Sequence, residues 1–127
     1  MDQLDLIKKI FNEFIQEMQT TLLFDNLSDN VMWITSPPSP ELWNTHYQGK
    51  AAVQEYFEKV GQLIETQEMK CLNFFYNEGQ YVIFGWEKLR AKRTGDTLEA
   101  YWTTILEFEN KKIAKVIIIE NVAGFKI

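Results

Sequence analysis

Glu87 is the side chain in this sequence with the clearest chemical potential. It lies in the run Phe84-Gly85-Trp86-Glu87-Lys88-Leu89, which alternates like a strand and turns it toward the apolar face. Apolar surroundings disfavour the charged carboxylate, which raises its pKa and makes it a usable acid or base near neutral pH. His46 is the second candidate, as the only histidine and hence the only side chain of a type that ordinarily changes charge near neutrality. Asn121 and Thr104 could hydrogen-bond a ligand carbonyl without moving a proton. Each also has a plainer reading. Glu87 at the mouth of a barrel is neutralised by Lys70 or by water, and a loop His46 without a dyad partner is a surface residue. Asn121 satisfies backbone at a strand end, and Thr104 is a common strand residue. Cys71 has no activating neighbour, and the same alternation points it outward.

These residues need a scaffold, and the composition describes one. The chain has 127 residues, 46% of them hydrophobic and 14% aromatic, which suits one domain spanning 1–127 with an ample core. A net charge of −5 argues against a nucleic-acid surface, which needs a basic face. The one basic cluster, Lys88 to Arg93, alternates between the two faces of a strand. One cysteine and one histidine make a zinc site of the usual type unexpected, and no cofactor is implied. The single thiol fits a reducing compartment. With no basic-then-apolar start and no apolar run of roughly 20 residues, the expectation is a soluble, cytoplasmic protein without a membrane segment.

Leu4, Ile7, Phe11, Phe14 and Met18 recur at helical spacing, and a second short helix is expected over 20–27. Val31 to Thr35 reads as a short strand ended by Ser36-Pro37-Pro38-Ser39-Pro40, because proline denies the ladder a donor. The proline-aromatic loop continues to Gly49 and is long enough to cover a site. Val53, Tyr56, Phe57, Val60, Leu63 and Ile64 mark a third helix from Lys50 to about Glu65. Four strands follow, over 68–76, 80–92, 97–109 and 112–122, joined by turns at Glu78-Gly79, Thr94-Gly95 and Asn110-Lys111.

The turns fix a register. Centring the second on Thr94-Gly95 pairs Arg90 with Glu99, Glu87 with Trp102, Gly85 with Thr104 and Ile83 with Leu106. One face then carries Ile83, Glu87, Trp102, Thr104 and, across the next turn, Ile113, Lys115, Ile117, Ile119 and Asn121. Continuing the other way adds Lys70, Leu72, Phe74 and Tyr76. The opposite face carries Phe84, Trp86, Tyr101 and Ile105 ringed by charge, an aromatic patch that predicts a homodimer through the outer sheet.

Leu27-Ser28-Asp29-Asn30-Val31-Met32-Trp33, Tyr47-Gln48-Gly49-Lys50 through Tyr56-Phe57, Thr94-Gly95 through Tyr101-Trp102, Lys112-Ile113 and Asn121-Val122-Ala123 follow one another in a characteristic order. With the order of elements, they make the chain resemble the SnoaL-like branch of the nuclear transport factor 2-like superfamily. The resemblance implies an α+β fold: a cone-shaped barrel of three N-terminal helices on a curved, mainly antiparallel, cystatin-like sheet, usually dimeric through that sheet. Relatives include isomerases, cyclases, hydrolases and proteins that only bind. Where catalytic relatives carry a polar or acidic residue after the strand tryptophan, this chain has Ile34 and Thr35. Thr104 stands where many have histidine, and Asn121 where many have an acid, with Glu120 assigned to the other face. Ketosteroid-isomerase chemistry, which needs two carboxyls, is therefore not expected.

The leading expectation is a small-molecule-binding domain with a mainly apolar pocket lined by Trp33, Tyr56, Ile83, Trp102, Thr104, Ile117, Ile119 and Asn121. The second is a cofactor-independent acid/base enzyme on a hydrophobic cyclic substrate, with Glu87 and His46 as catalytic groups. The third is a dimeric interaction module with a filled core.

Overall fold

The computed structural model describes residues 2–39 and 41–127. Three helices, α1 (Gln3–Glu17), α2 (Thr21–Asp25) and α3 (Lys50–Leu63), accompany six strands. These are β1 (Leu27–Ile34), β2 (His46–Gln48), β3 (Ile64–Asn77), β4 (Gln80–Ala91), β5 (Thr97–Glu109) and β6 (Lys112–Glu120). They form one sheet in the order β2-β1-β6-β5-β4-β3, antiparallel except for the β1–β6 pair. The sheet is curved but does not close, so β2 and β3 remain as edges and the expected barrel is an open one.

Asp2 starts α1 by accepting a hydrogen bond from the Asp5 amide at 2.8 Å, which satisfies one of the free donors of the first turn. Ile7 and Ile10 are the buried side of that helix, and Val53 and Tyr56 the buried side of α3. The core joins these to Leu27, Val31, Trp33, Ile83, Trp102, Leu106, Ile113 and Val116. Residues 122–127 also tuck in, with Phe125 and Ile127 buried and the Lys126 amide bonded to Asp96 Oδ2 at 2.9 Å. No helix among the described residues is long and apolar enough to cross a membrane.

Three register details differ from the sequence expectation. The β4–β5 loop is Lys92 to Gly95, closed by Ala91 N–H to Asp96 O at 2.8 Å, because the Lys92 amide instead donates to Leu63 O at the end of α3. Every β4–β5 pair is thereby displaced by two residues: Glu87 faces Ala100, Gly85 faces Trp102 and Ile83 faces Thr104. A shift of two preserves the faces and changes the neighbours. Gly85 is required here, since a Cβ would stand 2.2 Å from the Trp102 ring and 2.5 Å from Lys70 O.

The other two are bulges, and each flips a face. In β6 the pairing steps from Phe108–Ile113 to Glu107–Lys115, leaving Ala114 as the extra residue. Beyond it Val116, Ile118 and Glu120 point inward. Ile117, Ile119 and Asn121 go to the outer face, where Ile119 is 54% exposed, so these three leave the expected pocket. In β3 the extra residue is Leu72, so Met69 and Cys71 stand inward opposite Glu87 and Gly85. Lys70 turns outward over the Trp86 ring, 5.6 Å from its centroid, and is no partner for Glu87. β1 also begins earlier than expected, at Leu27, and the loop before Gly49 contains β2.

Candidate functional site

The interior between α3 and the sheet collects polar groups that the rest of the core lacks. Glu87 comes from β4 and Glu120 from β6, on the inner face either side of β5. There Ala100 opposes Glu87 and Trp102 opposes Glu120. The small Ala100 side chain leaves the two carboxyls room to approach. Two ionised carboxylates only accept hydrogen bonds, so they can join only if one keeps a proton. Glu120 Oε2 is buried without a hydrogen-bond partner. Burial pushes the Glu120 carboxyl well above the ordinary carboxylate range, and the adjacent Glu87 pushes it further by competing for the proton and by like charge. Burial also raises Glu87, while its contact with Glu120 pulls it partly back. The pair therefore titrates as a unit, and both influences of Glu87, its hydrogen bond and its charge, favour the proton on Glu120.

Tyr56 stands close enough to feel both carboxyls. Its phenol is pushed up to about 12, first by burial and then by the charges of Glu87 and Glu120. The hydroxyl lies 3.3 Å from Thr35 Oγ1. Trp33 packs at 5.8 Å from the Tyr56 ring, with Trp43 and Tyr47 at 6.3 and 5.3 Å. The indole N–H groups of Trp33, Trp43 and Trp102 are all buried with no hydrogen-bond partner among the described residues. Buried donors without acceptors are uncommon and costly, on the order of 1–3 kcal/mol each.

Of the residues anticipated from sequence, Glu87, Trp33, Tyr56, Ile83, Trp102 and Thr104 all lie on the interior side. His46 does not join them: it is exposed on edge strand β2, its ring 3.1 Å from Thr45 Oγ1. Glu120, Thr35 and Trp43 were missed. Lys115 carried the signal for Glu120, because strict alternation through β6 would have buried a lysine in the core. Trp43 shows that the proline loop inserts a ring into the interior while Glu41 and Asn44 stay exposed. A depression of about 160 Å³ remains beneath that loop, lined by Glu41, Trp43, Asn44, Tyr47, Glu55 and Lys59. Cys71 is half-buried, and its thiol is pushed up to about 11 by burial, so it is a poor nucleophile. Among the described residues no group of three His, Cys, Asp or Glu is placed to hold a metal.

No protein-family model matches the chain, and no curated protein matches it in sequence. Solved structures do. A protein of unknown function from Burkholderia pseudomallei, named NTF2-like, superposes with a TM-score of 0.83 at 14% identity, over 94% of this chain and 90% of that one. The fold is nuclear transport factor 2-like. A Mesorhizobium loti protein provisionally named a SnoaL-like polyketide cyclase matches at TM-score 0.79 and 14% identity, over 94% of this chain and 99% of that one. TerC, co-crystallised with polyporic acid, matches at TM-score 0.77 and 14% identity, over 91% of this chain and 88% of that one. At such identities this nuclear transport factor 2-like likeness speaks for the fold alone, and the site has to be read from its own residues.

Proposed function

We propose that the chain binds a small, mainly apolar molecule bearing a carbonyl or hydroxyl oxygen, and catalyses proton transfer on it without a cofactor. The observation that carries this is the half-buried Glu87–Glu120 pair, which forms no salt bridge among the described residues and lies close enough to Tyr56 to raise its phenol. A carboxyl kept protonated by its surroundings donates a hydrogen bond to a developing oxyanion, while its ionised neighbour takes the proton from carbon. In this scheme Glu120 is the acid and Glu87 the base. Tyr56 and the Trp33 N–H orient the oxygen, and Trp102 supplies an apolar wall. Small-molecule binding by the fold neighbour TerC supports the binding half of the reading. The free thiol of Cys71 favours a cytoplasmic setting, where it stays reduced.

The test is hydrogen–deuterium exchange α to the carbonyl of small cyclic ketones in D₂O, followed by proton NMR. The wild-type chain is expected to accelerate exchange, and Glu87→Gln to lower it by about 10²-fold or more, the usual worth of a positioned general base. Ketone binding, read from tryptophan fluorescence, should survive in that variant. Wild-type exchange no faster than buffer, or full exchange by Glu87→Gln, would rule the scheme out.

A second copy of this chain is the proposed partner, docked on the outer sheet face. Phe84 and Tyr101 stack there with ring centroids 5.4 Å apart, and Tyr101 is 62% exposed. The β6 bulge adds Ile117 and Ile119 to the same face, which makes the apolar patch broader than the aromatic residues alone suggest.

A further inference from the structure

A groove of about 430 Å³ runs between α1 and β3, lined on the helix by Lys8, Phe11 and Ile15 and on the strand by Met69, Cys71 and Phe74. Positions 8, 11 and 15 follow the i, i+3, i+7 spacing of a single helix flank, beside the buried Ile7 and Ile10. Met69, Cys71 and Phe74 stand opposite Glu87, Gly85 and Ile83, so they belong to the inner face of the sheet. The groove is thus an uncovered margin of the interior itself. Phe11 connects the two, since it lines the groove and its ring stacks on Trp102 at 5.6 Å and 7°. The volume falls within the roughly 300–1,000 Å³ of small-molecule sites.

Its edge carries one unpaired cation. The Lys8 ammonium sits 5.4 Å from the Phe74 ring centroid, with no carboxylate in ion-pair distance among the described residues. Lys70 also lines the groove, but its ammonium lies 3.4 Å from Glu68 and over the Trp86 ring. An anionic group is therefore drawn to Lys8.

We infer that the groove between α1 and β3 binds the apolar arm of an amphipathic carboxylate. Its anionic end is held at Lys8, and its apolar arm lies along Phe11, Ile15 and Phe74. This rests on the reading that the interior takes a small apolar molecule, but it requires no chemistry from the carboxyl pair. Lys8 is a specificity residue in this account: it selects for charge at one end of the ligand and leaves the apolar contacts to Phe11, Ile15, Met69 and Phe74.

Calorimetric titration of decanoate against decanol, at low salt, tests this. The two share an apolar chain and differ in the charged end. The wild-type chain should bind decanoate about fivefold more tightly than decanol, the effect of roughly 1 kcal/mol from one exposed ion pair. Lys8→Met should bring decanoate down to the decanol value and leave decanol unchanged. Ile15→Trp, which fills the groove, should weaken both by about tenfold or more while the thermal melt stays that of the wild type. Equal wild-type affinities, an unchanged decanoate preference in Lys8→Met, or undiminished binding in Ile15→Trp would each overturn the inference. Glu87→Gln separates the two proposals, since it should lose ketone exchange and keep the decanoate preference. Charge-selective binding without any wild-type exchange would remove the acid–base scheme and leave the groove standing; exchange without charge-selective binding would do the reverse.

Discussion

Glu87 and Glu120 set the pH behaviour at the scale of single residues. Both carboxyls are raised above their ordinary values by burial, so in the folded state they bind protons that the unfolded chain has already released. Stability must then fall as pH rises from the ordinary carboxylate range toward the raised values, since the slope follows the protons bound by the unfolded minus the folded state. Glu120→Gln keeps a hydrogen-bond donor toward Glu87 and removes the titrating group. It should be more stable than the wild type at pH 8 by about 1 kcal/mol, the usual net worth of a satisfied hydrogen bond, and its stability should vary less between pH 5 and 9. Urea unfolding at several pH values measures this. A steeper fall with pH in the variant than in the wild type would show that the pair does not control stability. Glu87 was legible as an interior acid because a two-residue shift of its hairpin leaves faces unchanged. Its partner was not, because Glu120 lies beyond a bulge.

The β6 bulge is the deciding feature among the elements. One extra residue, Ala114, moves Lys115 out beside Glu107, where their charged ends lie 3.8 Å apart, and brings Val116 to 1% exposure. Without the bulge, strict alternation through Ala114 would force Lys115 and Asn121 inward while expelling Val116, Ile118 and Glu120. Burying an unpaired lysine is costly enough to outweigh the lost ladder pairing. Deleting Ala114 removes the extra residue and leaves Lys115 outside and Val116 inside, so it is expected to change stability by less than about 1 kcal/mol, the scale of one hydrogen bond, as read from the urea midpoint. A loss of more than about 3 kcal/mol, the scale of an uncompensated buried charge, would show that the faces beyond Ile113 do not follow this alternation. The bulge in β3 obeys the same logic with Lys70. In both strands a lysine at an inner position was the warning, and it could be read without coordinates. The position of the β4–β5 loop could not, because it depends on the Lys92 amide meeting Leu63 O from α3, a contact between segments far apart in the chain.

For the molecule as a whole, the open sheet sorts its two faces by use. The inner face meets α1 and α3 and holds the polar cluster. The outer face presents Phe84, Tyr101, Ile117 and Ile119 to solvent, and burying such a patch favours association by roughly 25 cal/mol per Å² of apolar area. Tyr101→Glu together with Ile119→Asp should convert a dimer to a monomer in sedimentation velocity at micromolar concentration, without loss of the helical circular-dichroism signal. A wild-type chain that sediments as a monomer would remove the proposed partner.

The sequence by itself determined the three helices and the four strands of the meander, where two of the three tight turns fall, and that Phe84, Trp86, Tyr101 and Ile105 share one face while Ile83, Glu87, Trp102 and Thr104 share the other. Those features follow from short-range periodicity and turn chemistry, which neighbouring residues fix among themselves. Only the tertiary structure decided that Glu120 rather than Asn121 meets Glu87, that Cys71 rather than Lys70 points inward, and that Tyr56 and Thr35 reach the same place from α3 and β1. A bulge is a choice between burying a lysine and breaking one ladder step, and its outcome depends on what the opposing strand and helix offer. The identity of the acid pair was settled by that competition, across strands that are neighbours in space and not in sequence.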